Sequence, residues 1–456
     1  MKISFIVPGR NNLKYFKWSY DSIMKNKGNH EVEICFADDA STDGTWEWVY
    51  SESLVNPMLK VMRNEGSARL GHTTLYDALI RRSLHDICII WHCDMYLAPG
   101  ALDAIEKNMV DKKTIVSLTR VEPPLHPPGH EKITADLGTE PETFMEGKFL
   151  ELIHNMKIKS SKKEKTTGGV FAPWAFYKEE FLSIGGHDSL FYVQSKEDSD
   201  IWNRLMLNGA TFVQTWEGFV YHMTCRGSRF NPTITQVGKN SDEWEKQNII
   251  STRNFIRKWG GMPLQNEYHA ISPNKKYNIG IIVDMSSEMN QPSDEEFIDF
   301  IGFLEIFCDS LHIVGDKKYR ELVKFYIDKE QPNTLFYLAD RLWGYNHKYT
   351  PVDHIVLEEK IVISMDWGKI KVNEVFEFLQ KFPFIIDNYS PGLYGSDIGT
   401  IHIKDESSIT STYEKDLIKL NNLYKLREHK EIYPEYFDRY RPVLDFLEME
   451  KLNNNL

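Results

Sequence analysis

Apolar residues in this chain fall into short runs separated by amphipathic stretches. Ile3–Val7 is a strand-length apolar run that Pro8 and Gly9 end before the amphipathic stretch Leu13–Lys25. Val32–Ala37 predicts a second strand, Thr45–Ser53 a short helix, Lys60–Arg63 a strand and Ala68–Ser83 a longer helix. Asp86–Trp91 is almost wholly apolar, as expected of a central strand covered on both faces, and Thr114–Leu118 predicts another strand. Strands alternating with helices imply a doubly wound, mostly parallel sheet. The alternation stops over Glu122–Lys165, which is rich in proline, histidine and charge and predicts an insertion with one helix at Phe144–Met156. Regular structure is expected again at Gly168–Tyr177, Lys178–Ile184, Asp198–Leu207, Thr211–Gln214 and the helical stretch Asp242–Trp259.

After a polar linker at Ser272–Tyr277 a second alternation begins. It predicts strands at Ile279–Val283, Leu311–Val314, Thr334–Leu338, Lys360–Ser364, Phe384–Asp387 and Thr400–Ile403, with helices at Asp294–Phe307 and Lys318–Ile327. Tyr413–Leu456 has helical character broken by Pro434 and Pro442. The expected organisation is an α/β domain over residues 1–271 with an insertion at 120–166, a smaller α/β domain over 278–405, and a helical tail over 406–456.

Composition narrows the field. A length of 456 residues exceeds one comfortable core, and 41% hydrophobic residues with 13% aromatics suit folded domains. A formal charge of −12 argues against nucleic acid as a general partner. The lysine-rich run Lys157–Lys165 predicts a solvated loop. Cys35, Cys88, Cys93, Cys225 and Cys308 show no CxxC spacing, which points to a reducing, cytoplasmic setting without disulfides or structural zinc. No segment approaches the roughly 20 apolar residues needed to span a bilayer, and no charged leader is expected.

Five segments carry candidate chemistry. In Phe36–Thr45, Asp38 and Asp39 end an apolar strand, where carboxylates can accept hydrogen bonds from a nucleobase or ribose; a turn and helix cap explain Ser41 and Asp43 equally well. Trp91–Leu102 places Asp94, with His92 two residues before it, where a divalent cation bridging a diphosphate could sit; a satisfied turn is the rival. Asn64–Gly71 is a glycine-bearing loop in which Arg69 and backbone N–H groups suit phosphate or ribose. In Gly168–Asp188, glycine pairs flank Trp174, which fits either a stack on a sugar ring or core packing. Lys196–Leu205 clusters acids at a helix start, where they oppose the macrodipole; alternatively a buried Asp198 beside Glu197 would have a raised pKa and take a proton from a hydroxyl. Downstream, His222 follows an apolar strand as a candidate metal ligand, and Arg226 and Arg229 are candidates to neutralise diphosphate charge.

In order and spacing, Phe5–Pro8, Asp38–Asp43, Asn64–Gly71, His92–Asp94, Gly185–Gly186 and Glu197–Asp198 resemble the family 2 glycosyltransferases over about Met1–Trp259. The resemblance implies a GT-A fold, a Rossmann-like and mostly parallel sheet with flanking helices. It also implies a nucleoside site at Asp38 and Asp39, with Pro8, Arg10 and Arg69 nearby. The metal motif falls on His92-Cys93-Asp94, so that Cys93 and Asp94 lie against the donor, and the catalytic base falls on Asp198 beside Glu197. Where the family's motif begins with aspartate this chain has His92, which brings no negative charge and acts either as a ligand or behind one. Arg120–Ile133 resembles an insertion of some members and sits where an acceptor would bind.

The expected activity is inverting transfer from a nucleotide-diphosphate sugar, with UDP as the nucleotide, to a hydroxyl of a glycan or other acceptor. Mn²⁺ or Mg²⁺ would assist, held by Asp94 with His222 and His92. A sugar nucleotidyltransferase would be expected to carry a glycine-rich basic loop after the first strand, where this chain has only Gly9-Arg10. A non-catalytic nucleotide-sugar or glycan-binding protein is the other alternative. The second domain is open to three uses: a further sugar-nucleotide site, an acceptor module or a homo-oligomer interface.

Overall fold

The computed structural model describes residues 1–456 other than 161–163, 228, 230–238, 273–275, 288–290, 335–340, 349, 371–373, 376, 378–389, 397–398 and 405–456. The first half alternates as the pattern predicts: β1 (Lys2–Gly9), α1 (Leu13–Asn26), β2 (Glu31–Asp38), α2 (Thr45–Val55), β3 (Leu59–Arg63), α3 (Gly71–Arg82) and β4 (Ile87–Ile90). Then follow β5 (Met95–Leu97), α4 (Ala101–Asn108), β6 (Thr114–Glu122), β7 (Lys132–Thr134), α5 (Glu146–Ser160), β8 (Thr166–Thr167), β9 (Trp174–Tyr177), α6 (Lys178–Ser183), α7 (Glu197–Leu207), β10 (Thr211–His222) and α8 (Asp242–Trp259). The main sheet runs β3-β2-β1-β4-β9-β6-β10-β5. β3, β2, β1 and β4 are mutually parallel, β6 and β10 are parallel, and β9 and β5 run against their neighbours. The expectation of an α/β fold with a mostly parallel sheet and flanking helices is borne out.

The continuous apolar runs of β1 and β2 have their cause here: both strands are buried on both faces, and Phe5, Ile6, Phe36 and Trp91 are sealed in one core. A charge inside such a strand needs partners. Glu33 has them on one oxygen, which accepts from the Ser4 hydroxyl at 2.6 Å and the Leu84 N–H at 2.9 Å.

Three differences from the sequence pattern have local causes. β6 runs on to Glu122, not Leu118, because β10 extends alongside it past a bulge between Thr215 and Phe219, and this pairing buries Arg120 and Glu122. The predicted strand Gly168–Tyr177 is reduced to Trp174–Tyr177, following Pro173, which lacks a backbone donor. The start of the lysine run is helical: α5 continues to Ser160, and Lys157 Nζ donates to the Pro99 carbonyl at 3.3 Å.

The short hairpin β11 (Leu264–Gln265) and β12 (Ile271–Ser272) leads to a second sheet. Its elements are β13 (Ile279–Asp284), α9 (Asp294–Leu304), β14 (Ser310–Gly315), α10 (Lys317–Thr334), β15 (Leu342–Asn346), β16 (Ile361–Asp366), β17 (Gly392–Ser396) and β18 (Gly399–Ile403). The strand order is β15-β14-β13-β16-β18-β17, parallel from β15 to β16 and antiparallel beyond. Of the predicted strand Thr334–Leu338, Thr334 ends α10 and residues 335–338 lie outside the described residues; a strand follows at Leu342–Asn346. The predicted strand Phe384–Asp387 and the tail 406–456 also lie outside the described residues. Among the described residues no helix is long and apolar enough to cross a membrane.

Candidate active site

Strand register assembles the first part of the site. β10 pairs antiparallel with β5, placing His222 opposite Met95, and parallel with β6, placing Tyr221 opposite Val121. Asp94, His222 and Glu122 therefore lie side by side across three strands. His222 Nε2 is 3.4 Å from Asp94 Oδ1, and its Nδ1 is 2.8 Å from Glu122 Oε1. Glu122 is itself held by Arg120 at 2.7 Å and Lys132 at 2.9 Å. A proton shared between Nδ1 and this carboxylate leaves Nε2 to face Asp94, the arrangement that orients a metal-binding imidazole. His92 completes the group: one ligand atom each from His92, Asp94 and His222 lie within 4.8 Å of one another.

The electrostatics follow from burial and proximity. Burial raises the Asp94 carboxyl, but the His222 imidazole beside it outweighs this and holds it below its ordinary range. Burial lowers His222, and Asp94 and Glu122 outweigh that in turn, raising it to about 9 when no cation is bound, so a cation binding at Nε2 displaces a proton from it. Burial and the neighbouring His222 push His92 down to about 3, so it presents a neutral ring. Two imidazoles and one carboxylate fit a borderline divalent cation such as Mn²⁺ better than Mg²⁺.

The second part lies at the end of β2. Asp38 is fully buried; one oxygen accepts from the Ser41 N–H at 3.1 Å and lies 3.5 Å from Arg63 Nε, while Oδ1 is buried without a partner. Burial raises this carboxyl above its usual range. Such an oxygen is an acceptor aimed at something the protein does not supply. Asp39 differs: Oδ1 accepts from Asn64 Nδ2 at 2.8 Å and the Leu70 N–H at 2.9 Å, and Oδ2 from the Gly71 N–H at 3.2 Å. It therefore holds the Asn64–Gly71 loop, which the sequence reading treats as an independent phosphate or ribose site. Gly71 sits at φ +72°, where an added Cβ would lie 2.5 Å from the Val193 carbonyl oxygen, so the loop closes tightly on the segment before α7. Arg69 Nε lies 3.9 Å from Asp39 Oδ2, and Arg10 Nη1 donates to the Asp39 carbonyl at 2.7 Å. Cys93 is buried with its Sγ 3.7 Å from the Pro8 carbonyl oxygen, which ties the His92–Asp94 turn to the end of β1.

At the start of α7 the burial expected of Asp198 falls on Glu197 instead. Asp198 is exposed, with Oδ1 accepting from the Ser199 N–H at 2.6 Å, so the expectation of a buried Asp198 is corrected. Glu197 is the carboxyl turned inward: Oε2 is buried without a partner, and burial together with the charge of Asp198 raises it to about 8. Glu197 therefore holds its proton at neutral pH, beside the exposed carboxyl of Asp198. Tyr76, buried on α3, feels Cys93, Glu197 and Asp94 together, which places the start of α7 and the His92–Asp94 turn around one side chain.

Other expectations are redistributed. Trp174 is 3% exposed and packs against Phe176 in the core, so it cannot stack on a sugar. Gly186 allows the chain to meet Asp77 of α3, since an added Cβ would lie 2.2 Å from its carboxylate; the approach is to protein, not ligand. Arg226 donates to the Thr139 carbonyl and pairs with Glu140 at 3.0 Å, bracing the insertion. Arg229 stacks on Trp244 at 4.2 Å and lies within electrostatic range of Asp198 and Glu197. The sequence pattern does not single out Glu122, Tyr76 or Arg63, and it gives Asn64 only as the start of the Asn64–Gly71 loop. Glu122 was legible only as an acid ending a longer strand than the pattern predicts.

With this geometry in place, comparison with known proteins is informative. Residues 4–182 match the glycosyl transferase family 2 model. A 119-residue stretch is 32% identical to abequosyltransferase RfbV of Salmonella typhimurium, covering 26% of this chain and 35% of that protein. Among solved structures, the mannosyltransferase PcManGT of Pyrobaculum calidifontis, in complex with GDP-Man and Mn²⁺, superimposes with a TM-score of 0.35 at 17% identity, covering 49% of this chain and 57% of the other. GalNAc-T7 with UDP, GalNAc and Mn²⁺ gives 0.40 at 14%, covering 57% and 48%. The chain thus spans about a third of the curated relative and about half of each of these structures.

Proposed function

We propose that this chain, whose residues 4–182 match the glycosyl transferase family 2 model, transfers a sugar from a nucleotide-diphosphate donor, with UDP as the nucleotide, to a hydroxyl of a glycan or other acceptor with inversion. One observation carries the reading. A buried acceptor without a partner (Asp38 Oδ1) and a three-ligand cation group (His92, Asp94, His222) come from the strand ends of one sheet, and the adjacent carboxyls Glu197 and Asp198 open helix α7 beside it.

Each group has a task set by its chemistry. Asp38 Oδ1 accepts a hydrogen bond from the nucleoside, while Asp39 keeps the Asn64–Gly71 loop in place beside it. His92, Asp94 and His222 would hold the divalent cation, with Glu122 fixing the His222 ring; when bound, that cation neutralises charge on the departing diphosphate. Asp198 takes the proton from the acceptor hydroxyl as its oxygen attacks the anomeric carbon opposite the diphosphate. Glu197, uncharged at neutral pH, leaves Asp198 as the single negative charge of the pair. A nucleotidyltransferase is disfavoured because Arg10, the one cation in the turn between β1 and α1, is turned onto the Asp39 carbonyl.

The test is a panel of nucleotide sugars with Mn²⁺, read as transfer or donor hydrolysis for the wild type and Asp198→Asn. The expected result is turnover with at least one donor, lowered by roughly 100-fold or more in Asp198→Asn, with UDP affinity unchanged within a few fold. UDP binding without turnover of any donor would make the protein a binding module, and near-normal turnover in Asp198→Asn would refute the base.

A further inference from the structure

α8 faces two ways. On one side it holds the segment leading into α7: Gln247 Nε2 donates to the Tyr192 carbonyl at 2.7 Å, the Ser195 hydroxyl donates to Asn248 Oδ1 at 2.7 Å, and the Ser251 hydroxyl donates to the Gln194 carbonyl at 3.3 Å. Near its end, Lys258 Nζ reaches Asp188 at 2.7 Å and Asp200 at 2.6 Å; Asp200 lies in α7, two residues after Asp198, and also accepts from Trp259 and Arg204. On the other side α8 docks on the second domain. Arg257 donates to both oxygens of Glu305, and Arg253 donates to Glu305 at 2.8 Å and to the Tyr326 hydroxyl at 2.6 Å.

These groups define one seating for the helix. Arg257, Lys258, Asp188, Asp200 and Glu305 have fully buried side chains. A buried ion pair adds little over apolar packing, but a misplaced one leaves a charge stranded, so such pairs penalise every alternative position more than they stabilise their own. Arg257 and Lys258 are consecutive residues, so the seat taken on the second domain sets the reach toward Asp200.

We infer that the second domain is a positioning element for proton transfer: Glu305, acting through Arg257 and α8, fixes the Tyr192–Asp200 segment and with it Asp198. This rests on the reading of Asp198 as the base. Glu305 is a positioning residue, because every contact it makes toward the site passes through α8.

The test uses the full chain with Glu305→Gln, followed by hydrogen exchange and by kinetics with a donor that the wild type turns over. Amides in residues 192–200 should exchange faster while β1, β2 and β4 keep their protection, and kcat should fall roughly 10- to 100-fold, as expected for a misplaced group, with KM for donor and UDP affinity nearly unchanged. If Glu305→Gln does not fold, Arg253→Gln, which leaves the Arg257 pair intact, should show smaller changes in the same direction, and Arg253→Lys should stay near wild type. A folded variant with unchanged exchange at 192–200, or faster exchange there with unchanged kcat, overturns the inference. The exchange measurement needs no donor, so it can fail separately from glycosyl transfer.

Discussion

Both domains end parallel strands in aspartates, yet the two sheets use them differently. In the second domain Asp284 and Asp366 sit opposite each other at the ends of β13 and β16, and each is occupied by its own turn. Asp284 accepts from the Ser286 N–H at 2.9 Å, and Asp366 accepts from the Gly368 N–H at 3.0 Å and pairs with Lys369 at 3.0 Å. In the first domain Asp38 is buried with one oxygen unpaired, and Asp94 faces an imidazole that a second carboxylate aims at it. An acid at a strand end is therefore not evidence of a site. What separates the two sheets is burial: Asp284 and Asp366 stay partly exposed, whereas Asp38 is sealed in with one oxygen left without a partner.

The contrast breaks most sharply at the base. Asp198→Asn should lower kcat by roughly 10²- to 10⁴-fold, the span that general-base catalysis covers, with UDP affinity little changed in a calorimetric titration. Next comes the cation group: Glu122→Gln should weaken Mn²⁺ binding by about 10- to 100-fold, the usual effect of losing the partner that orients a ligand, and a metal titration by calorimetry checks this. Asp38→Asn should follow, weakening UDP by about 10-fold or somewhat more, as expected for a hydrogen bond to a charged group. By contrast Asp284→Asn and Asp366→Asn should leave turnover unchanged and shift stability by no more than about 0.5 kcal/mol in urea melts. A loss of activity in either would erase the distinction between the two sheets.

Glu197 sharpens the comparison through pH. Its native pKa is raised, so the stability it contributes is complete below the ordinary glutamate range and is lost as pH climbs toward about 8, where the buried carboxyl must ionise. Glu197→Gln cannot ionise and escapes that loss. Its melting temperature relative to wild type should therefore be higher at pH 8 than at pH 5, and a constant difference would place Glu197 in an ordinary environment.

Much of this was legible in the sequence because burial on both faces demands continuous apolar runs. The runs at Ile3–Val7 and Val32–Ala37 correspond to β1 and β2, and Asp242–Trp259 is α8 to the residue. The strand pairing that matters most was not legible. The end of β6 at Glu122 depends on its partner β10, whose bulge no local pattern announces, so the carboxylate aiming His222 was read as the start of an insertion. Likewise Asp198 and Glu197 are adjacent in sequence, and only the tertiary packing decides which is buried. Trp174 was ambiguous for the same reason, since an aromatic in a strand serves core and ligand alike until its neighbours are known.

The central claim is that the donor and its cation occupy the first sheet and not the second. A crystal structure of the chain with UDP and Mn²⁺, using the anomalous signal of manganese, tests it most directly. The account predicts one manganese bound by His92, Asp94 and His222, with the uridine against Asp38. Manganese absent from that group, or UDP seated at Asp284 and Asp366, would contradict it.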